Sequence, residues 1–379
     1  MTATQPQPTT SGTSRWHAAH IYYYEPDKTN LILDGVRPLL DELKAIAPDA
    51  YVLRHWRRGP HLRLNLRTDP GTWTNTVQPA INDTIGGYLT RHPSTARIDQ
   101  QAALVQHRFL ARSEEERGPL TPWFPDNSIQ YAPYDDRRHV LGDAEAAEML
   151  SGFYTDSTPL LFSMLEHVRS GHDTAELIGL GLMLATTATA LPPLTRSFVS
   201  YRSHAEGFIA RCADPDATRA RLDDYYRAHR TELTARVRTV MAALEERAPA
   251  PPPFIAEWAD LIANYRDRAT QLIAQGKLIQ PSSYDADHAA QRPSEFHRLM
   301  FGNRAYHRAV FEDPAFCRYR VLISYTYLQI HRLGLTPPDR FRLCHLAANA
   351  VEDVYQLNAR DLIHHFTQTH PNPQPLTSG

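Results

Sequence analysis

Three short stretches carry side chains that can bind a polar ligand or move protons. The first runs from His61 to Arg67. His61, Arg63, Asn65 and Arg67 share one face of an extended chain there, and Leu62, Leu64 and Leu66 share the other. A row of donors on a rigid element suits an acidic or amide-rich ligand; the same alternation also describes a strand with one solvated face. The second is Ser200-Tyr201-Arg202-Ser203-His204. At i, i+3 spacing Tyr201 and His204 share a helix face, so a phenol and an imidazole offer a donor and a proton shuttle, or an ordinary amphipathic helix carries a satisfied histidine. The third is Ser282-Ser283-Tyr284 with Asp285, which is either a hydroxyl-bearing loop or a set of turn formers. His297, Asn303 and Arg304 follow on the next predicted helix and face a pocket or solvent.

The familiar signatures are missing. No G-x-G-x-x-G, Walker A, H-E-x-x-H or G-x-S-x-G occurs, so nucleotide-binding, zinc-protease and hydrolase-elbow chemistries lose their usual support. The 19 histidines show no metal-ligand spacing: His20, His55 and His61 fall in different strands, and His364-His365 lies beside the C-terminal tail. No metal and no cofactor is expected. Hydrogen bonding and proton transfer by side chains remain as the enzymatic option.

These residues need a scaffold. Arg15–Glu25 reads as an aromatic-rich strand, and a helix follows to about Ile46, kinked or split by Pro38. Two strands meet around Arg57-Arg58-Gly59-Pro60, and a helix spans about Thr72–Leu89. Strand, helix, strand, strand, helix implies an α+β unit with an antiparallel sheet. A helix is plausible over Asp99–Arg117, and Gly118–Arg138 reads as a long loop rich in proline and aromatics. Beyond Leu141 the pattern is helical. Asp143 caps a helix to about Tyr154, and Asp156-Ser157 caps the next through Val168. Thr174 opens an apolar helix that Pro192-Pro193 ends. Helices are predicted over Ser197–Cys212, Asp216–Arg247, Phe254–Ala274, Ser294–Ala309, Pro314–Leu333 and Pro338–Ile363, with a stiff linker at Ala248–Pro253 and a loop at Gly276–Pro293.

The 379 residues suffice for two or three units of ordinary domain size. The expected organisation is a disordered tail over 1–14, an α+β unit over 15–140 with the strand hairpin, a helical unit over 141–365, and a second tail over 366–379. A net charge of -2 gives no global basic field, so no nucleic-acid partner is expected. Cys212, Cys317 and Cys344 are scattered and read as reduced thiols of a cytoplasmic protein. The most apolar run, Leu177–Leu191, is too short and too rich in threonine for a membrane span of about twenty residues, so no membrane association is expected.

Three segments taken in order resemble a known family. RWHAAHIYYYE, the YVLRHWRRGPHLRLNLR hairpin and QYAPYDDRRHVLGDAEAAEMLSGFYTDS are similar to the C-terminal elimination domain of lantibiotic dehydratases, and SFVSYRSHAEGF resembles one subgroup. The resemblance covers most of Arg15 to about Leu165, and it implies that domain's fold. It also implies one of two chemistries. Elimination domains remove glutamate from glutamylated Ser or Thr, holding the glutamyl carboxylate with two arginines of an Arg-x-Arg strand and using a downstream histidine. Arg63 matches the first arginine, but Asn65 stands at the second, and an amide cannot replace a cationic fork. The chain is also too short to include the large glutamylating domain.

The other branch, the stand-alone thiopeptide pyridine synthases, joins two dehydroalanines of a leader-bearing peptide by a formal aza-[4+2] cycloaddition. Water and the leader peptide are then lost. The Asn65 departure and the stand-alone length favour this branch. A dehydrated, azole-containing precursor peptide is then the expected partner, and no cofactor is implied. The resemblance, with the need to tautomerise an amide, nominates His204, Tyr201, Ser282, Ser283 and Tyr284 for proton handling. His61, Arg63, Asn65, Arg202 and His297 are nominated for substrate binding. The alternatives are a stand-alone glutamate-eliminating subunit and a non-catalytic leader-binding module.

Overall fold

A computed structural model describes residues 13–245, 251–278 and 294–370 of the chain. They divide into two units, residues 1–140 with 154–166 and residues 141–153 with 167–379.

The first unit is built on a four-stranded antiparallel sheet of β1 (Arg15–Tyr22), β2 (Ala50–His55), β3 (His61–Thr68) and β4 (Ser128–Ala132), in the order β2-β3-β1-β4. Helix α1 (residues 29–43) joins β1 to β2. Helix α2 (residues 70–91) and α3 (Gln100–Ser113) lie between β3 and β4. This is the split β-α-β arrangement in which two helices cover one face of the sheet. The predicted loop over Gly118–Arg138 therefore holds a strand. Ser128–Ala132 pairs with Ala18–Tyr22, and the ladder supplies what its weak alternation does not.

Both covering helices contain a wider π turn, Ile32–Val36 in α1 and Trp73–Val77 in α2, and each turn ends shortly before a proline. Pro38 stands in the first turn of the α-helical part that follows the π turn of α1. The Arg37 amide reaches back to the Ile32 carbonyl, which leaves the Leu33 carbonyl without its ordinary α-helical donor. Arg37 Nε fills that place at 3.2 Å. The Gln78 amide repeats the pattern by donating to the Trp73 carbonyl one residue before Pro79.

The helix-covered face of the sheet is apolar. Leu62, Leu64, Leu66 and Ile21 are fully buried, His17 stacks on Trp73 of α2 at 4.6 Å, and the Tyr131 hydroxyl donates to the Gln78 carbonyl at 3.1 Å. The opposite face is not solvated. His61, Arg63 and Asn65 are buried as well, and of the donor row only Arg67 is half-exposed. The β2–β3 turn places Arg58 at φ 60 and Gly59 at φ 110.

The second unit is helical. Its principal members are α4 (Ala144–Arg169, of which 154–166 pack with the first unit), α5 (Ala175–Ala190), α6 (Val199–Ile209), α7 (Pro215–Leu244) and α8 (Ile255–Ala274). They are followed by α9 (Glu295–Phe301), α10 (Arg304–Phe311), α11 (Pro314–Arg332), α12 (Pro337–Tyr355) and α13 (Ala359–Thr369). Helix α5 is buried nearly all round. Its Thr186 hydroxyl accepts from Trp258 Nε1 at 2.9 Å and bonds Thr326 at 2.8 Å, so the polar atoms of this core helix are met by neighbours.

Four expectations need correction. Asp156 and Ser157 cap nothing, because α4 runs on through Pro159. The Ser157 and Thr158 hydroxyls donate back to the Tyr154 carbonyl at 3.3 and 2.7 Å. The helix expected at Ser294–Ala309 breaks where Asn303 caps α10, accepting from the Tyr306 amide at 2.7 Å. The helix expected at Pro338–Ile363 breaks at Gln356, which is left-handed at φ 53, and Asn358 then caps α13. Residues 366–369, assigned to the C-terminal tail, are helical. Among the described residues no single helix is long and apolar enough to cross a membrane.

A Cβ at Gly59 would lie 2.7 Å from the Tyr24 hydroxyl oxygen, and that hydroxyl donates to the Phe124 carbonyl at 2.6 Å. The expected cost of Gly59→Ala is about 2–4 kcal/mol, combining backbone strain with the clash. It is read from the urea unfolding midpoint, and an unchanged midpoint would contradict the turn geometry.

Candidate functional site

In the first unit Arg63 of the donor row meets a carboxylate that Arg57, Arg137 and His55 also reach. Glu116 lies on the irregular stretch after α3, and its side chain is 1% exposed. Its Oε1 accepts from Arg63 Nη2 at 3.0 Å and lies 3.2 Å from Arg57 Nε. Its Oε2 accepts from Arg137 Nη1 at 2.7 Å and lies 3.5 Å from His55 Nε2. Asp135 approaches the other end of Arg63 at 3.6 Å. Beside this knot His20 stacks on His61 at 4.8 Å, and His55 meets His61 at 5.2 Å. His61 Nδ1 bonds the Gly59 carbonyl at 2.8 Å, which fixes its proton on Nδ1 because a carbonyl only accepts. Burial drives all three imidazoles toward the neutral form, with Arg63 the next cause for His20 and His55 and the neighbouring histidines the next for His61. His20 falls to about 3.

The second unit presents a different cluster on α6. His204 Nδ1 lies 2.9 Å from the Tyr327 hydroxyl of α11, and that hydroxyl lies 3.4 Å from Cys344 Sγ of α12. Burial, then the charge of Arg340, lowers His204 to about 3, while burial raises the Tyr327 phenol and takes the Cys344 thiol up to about 11. The groups are therefore neutral at pH 7. Two relays satisfy this geometry: Cys344 thiol to Tyr327 oxygen and Tyr327 hydroxyl to His204 Nδ1, with the His204 proton on Nε2, or His204 Nδ1 to Tyr327 oxygen and Tyr327 hydroxyl to Cys344 Sγ, with Nε2 an acceptor. Arg340 stacks over the Tyr327 ring at 5.0 Å. One residue before His204, the Ser203 hydroxyl bonds His297 Nε2 of α9 at 3.1 Å. Gly207 makes room for that ring, since a Cβ there would sit 3.1 Å from His297 Cε1.

The nominated residues therefore separate. His204, Ser203 and His297 gather along one stretch of α6. Tyr201 does not join them. It is fully buried, and its hydroxyl donates to the Met183 carbonyl at 2.6 Å, so it serves the core. Arg202 is held by Asn349 at 2.5 Å and Glu352 at 2.6 Å, which makes it a partner of α12 rather than an open cation. His61 and Arg63 are engaged internally as described, and Asn65 is buried beside them on β3. Ser282, Ser283 and Tyr284 lie outside the described residues. Sequence reasoning missed Tyr327 and Glu116. Tyr327 sits in the tyrosine-rich ISYTYLQ stretch of an amphipathic helix, and Glu116 ends an acidic run, so neither spacing singles out the residue. Among the described residues no group of His, Cys, Asp or Glu is arranged to hold a metal.

The buried histidines make the fold acid-sensitive. Their folded-state pKa lies below the unfolded value near 6.5, so the unfolded chain binds more protons as pH falls. Stability is fully present above pH 6.5 and declines below it, by at most about 1.4 kcal/mol per pH unit for each histidine that stays neutral. Urea titrations between pH 7 and 5 should show this decline, and His20→Gln should make it shallower; equal slopes would contradict a neutral His20.

Comparison with known proteins places this geometry in context. The family described as lantibiotic biosynthesis dehydratase, C-terminal part, matches residues 16–351. Among solved structures the chain is similar to TbtD, the pyridine synthase from thiomuracin biosynthesis, at 36% identity and a TM-score of 0.73, covering 91% of this chain and 100% of that one. It shares the fold of TsrL at 23% identity and a TM-score of 0.68, covering 93% of this chain and 98% of that one. None of the curated protein sequences matches it. A match over residues 16–351 of 379 extends through both units, and the chain belongs to the family of lantibiotic dehydratase C-terminal domains.

Proposed function

We propose that this protein is a thiopeptide pyridine synthase and macrocyclase. It joins two dehydroalanines of a leader-bearing precursor peptide by a formal aza-[4+2] cycloaddition. The observation that carries this reading is the similarity, over 91% of this chain and 100% of the other, to a protein described as a pyridine synthase. The precursor is a ribosomally made peptide with a dehydrated, azole-containing core.

The backbone amide before one dehydroalanine tautomerises to its imidic form, giving a 2-azadiene, and the second dehydroalanine adds across it. The hydroxylated ring loses water and then the leader as its carboxamide, and the pyridine remains. Every step is redox-neutral and balances without an added group, so the reaction needs no cofactor. Holding two alkenes of a flexible peptide together can supply roughly 7–11 kcal/mol of the barrier.

Tautomerising an amide needs a donor and an acceptor close together, and a neutral imidazole is both. His204 fits half of this role: Tyr327 occupies Nδ1, so Nε2 alone is left to serve the substrate and a second group must supply the complementary donor or acceptor. Ser203 precedes it on α6 and bonds His297 of α9. Ser282, Ser283 and Tyr284 remain proposed partners, and the first unit is proposed to recognise the leader. Glutamate elimination is the weaker reading, because Arg63 is bonded to Glu116 and Asn65 stands where a second cation is expected.

The test is mass spectrometry of a leader-bearing peptide with two dehydroalanines. Loss of water with release of the leader carboxamide is expected; glutamate loss from a glutamylated peptide instead would overturn the reading. His204→Ala should lower turnover by about 10²–10⁴-fold with leader affinity unchanged. Tyr327→Phe should lower it less, because the His204 ring stays but loses its hydroxyl partner. Undiminished turnover in both His204→Ala and Ser283→Ala would remove the proton-handling assignment.

A further inference from the structure

We propose that the polar face of the first unit's sheet is a carboxylate-binding site occupied by the chain's own Glu116. The receptor is built on fixed elements, with Arg63 on β3, Arg57 in the β2–β3 turn and His55 at the end of β2. Arg137 completes it from a left-handed backbone position at φ 56. The occupant comes from the irregular chain just after α3. The carboxylate is held as a bound anion would be, two guanidinium groups on one oxygen and a guanidinium and an imidazole near the other.

The pocket has capacity beyond what Glu116 uses. Arg63 Nε and His61 Nε2 are buried and have no hydrogen-bond partner among the described residues. One is an obligate donor. The other, with the His61 proton on Nδ1, is an obligate acceptor. Nothing in this inference depends on the reaction proposed above.

The ligand class follows from subtraction. Glutamate exceeds alanine by a methylene and a carboxylate, so Glu116→Ala leaves a cationic cavity the size of an acetate ion. In the parent chain an external carboxylate finds the site filled. In the variant, three guanidinium groups face each other, with the Asp135 carboxylate 3.6 Å from Arg63.

The experiment uses the full chain and compares sodium acetate with sodium chloride at equal ionic strength. Glu116→Ala should lower the thermal midpoint by roughly 5–10 °C in chloride. Acetate should restore much of the loss, rising with the logarithm of its concentration as a ligand of the folded state does. Glu116→Gln, which fills the space with a neutral amide, should be destabilised without responding to acetate, and the parent should not respond. If Glu116→Ala does not stay folded in chloride, its refolding yield in acetate reads the same property. An acetate effect no larger than that of chloride, or an equal one in Glu116→Gln, overturns the proposal.

Discussion

A cation that leaves water must bring an anion with it, and the first unit is organised around that requirement. The hairpin puts Arg63 on the inner face of β3, where its side chain is 8% exposed. An unpaired guanidinium there would cost more than the sheet gains by burying the face, so the 114–137 segment supplies Glu116 and Asp135. The same segment carries β4, which completes the sheet. Glu116 therefore links the electrostatics of the strand face to the course of the chain that covers it.

The second unit uses burial for a different purpose. Around α6 the titratable groups are kept neutral: His204 is pushed down to about 3, while Tyr327 and Cys344 are pushed up. A neutral imidazole is a poor electrostatic anchor and a good bifunctional hydrogen-bonding group. Four residues along the same helix, Arg202 to Ala205, show how finely the roles are divided. Arg202 ties α6 to α12, Ser203 reaches α9, His204 reaches α11, and Ala205 is buried.

How much of this was legible in the sequence depended on distance along the chain. The hairpin could be read because a two-residue period and a turn are local. The α5 cap at Thr174 and the stop at Pro192 were local too. Ser128–Ala132 escaped because its strand character comes from pairing with β1, more than a hundred residues earlier. Glu116 and Tyr327 escaped for the same reason: the contacts that give them a role close over separations of 53 and 123 residues. Tyr201 misled in the opposite way. It shares a helix with His204, but its ring continues into the core.

The π turns of α1 and α2 carry a consequence for how related chains are aligned. Each packs one more residue into a single turn than an α-helix holds, at Ile32–Val36 and at Trp73–Val77. A one-residue length difference between relatives is absorbed at these two places with the flanking helical faces left in phase. Elsewhere in the same helices it would rotate the buried stripe by about 100°. A gap in an alignment at either turn is thus a change of helical pitch, with the core that Leu33, Val36 and Val77 help to form left in place.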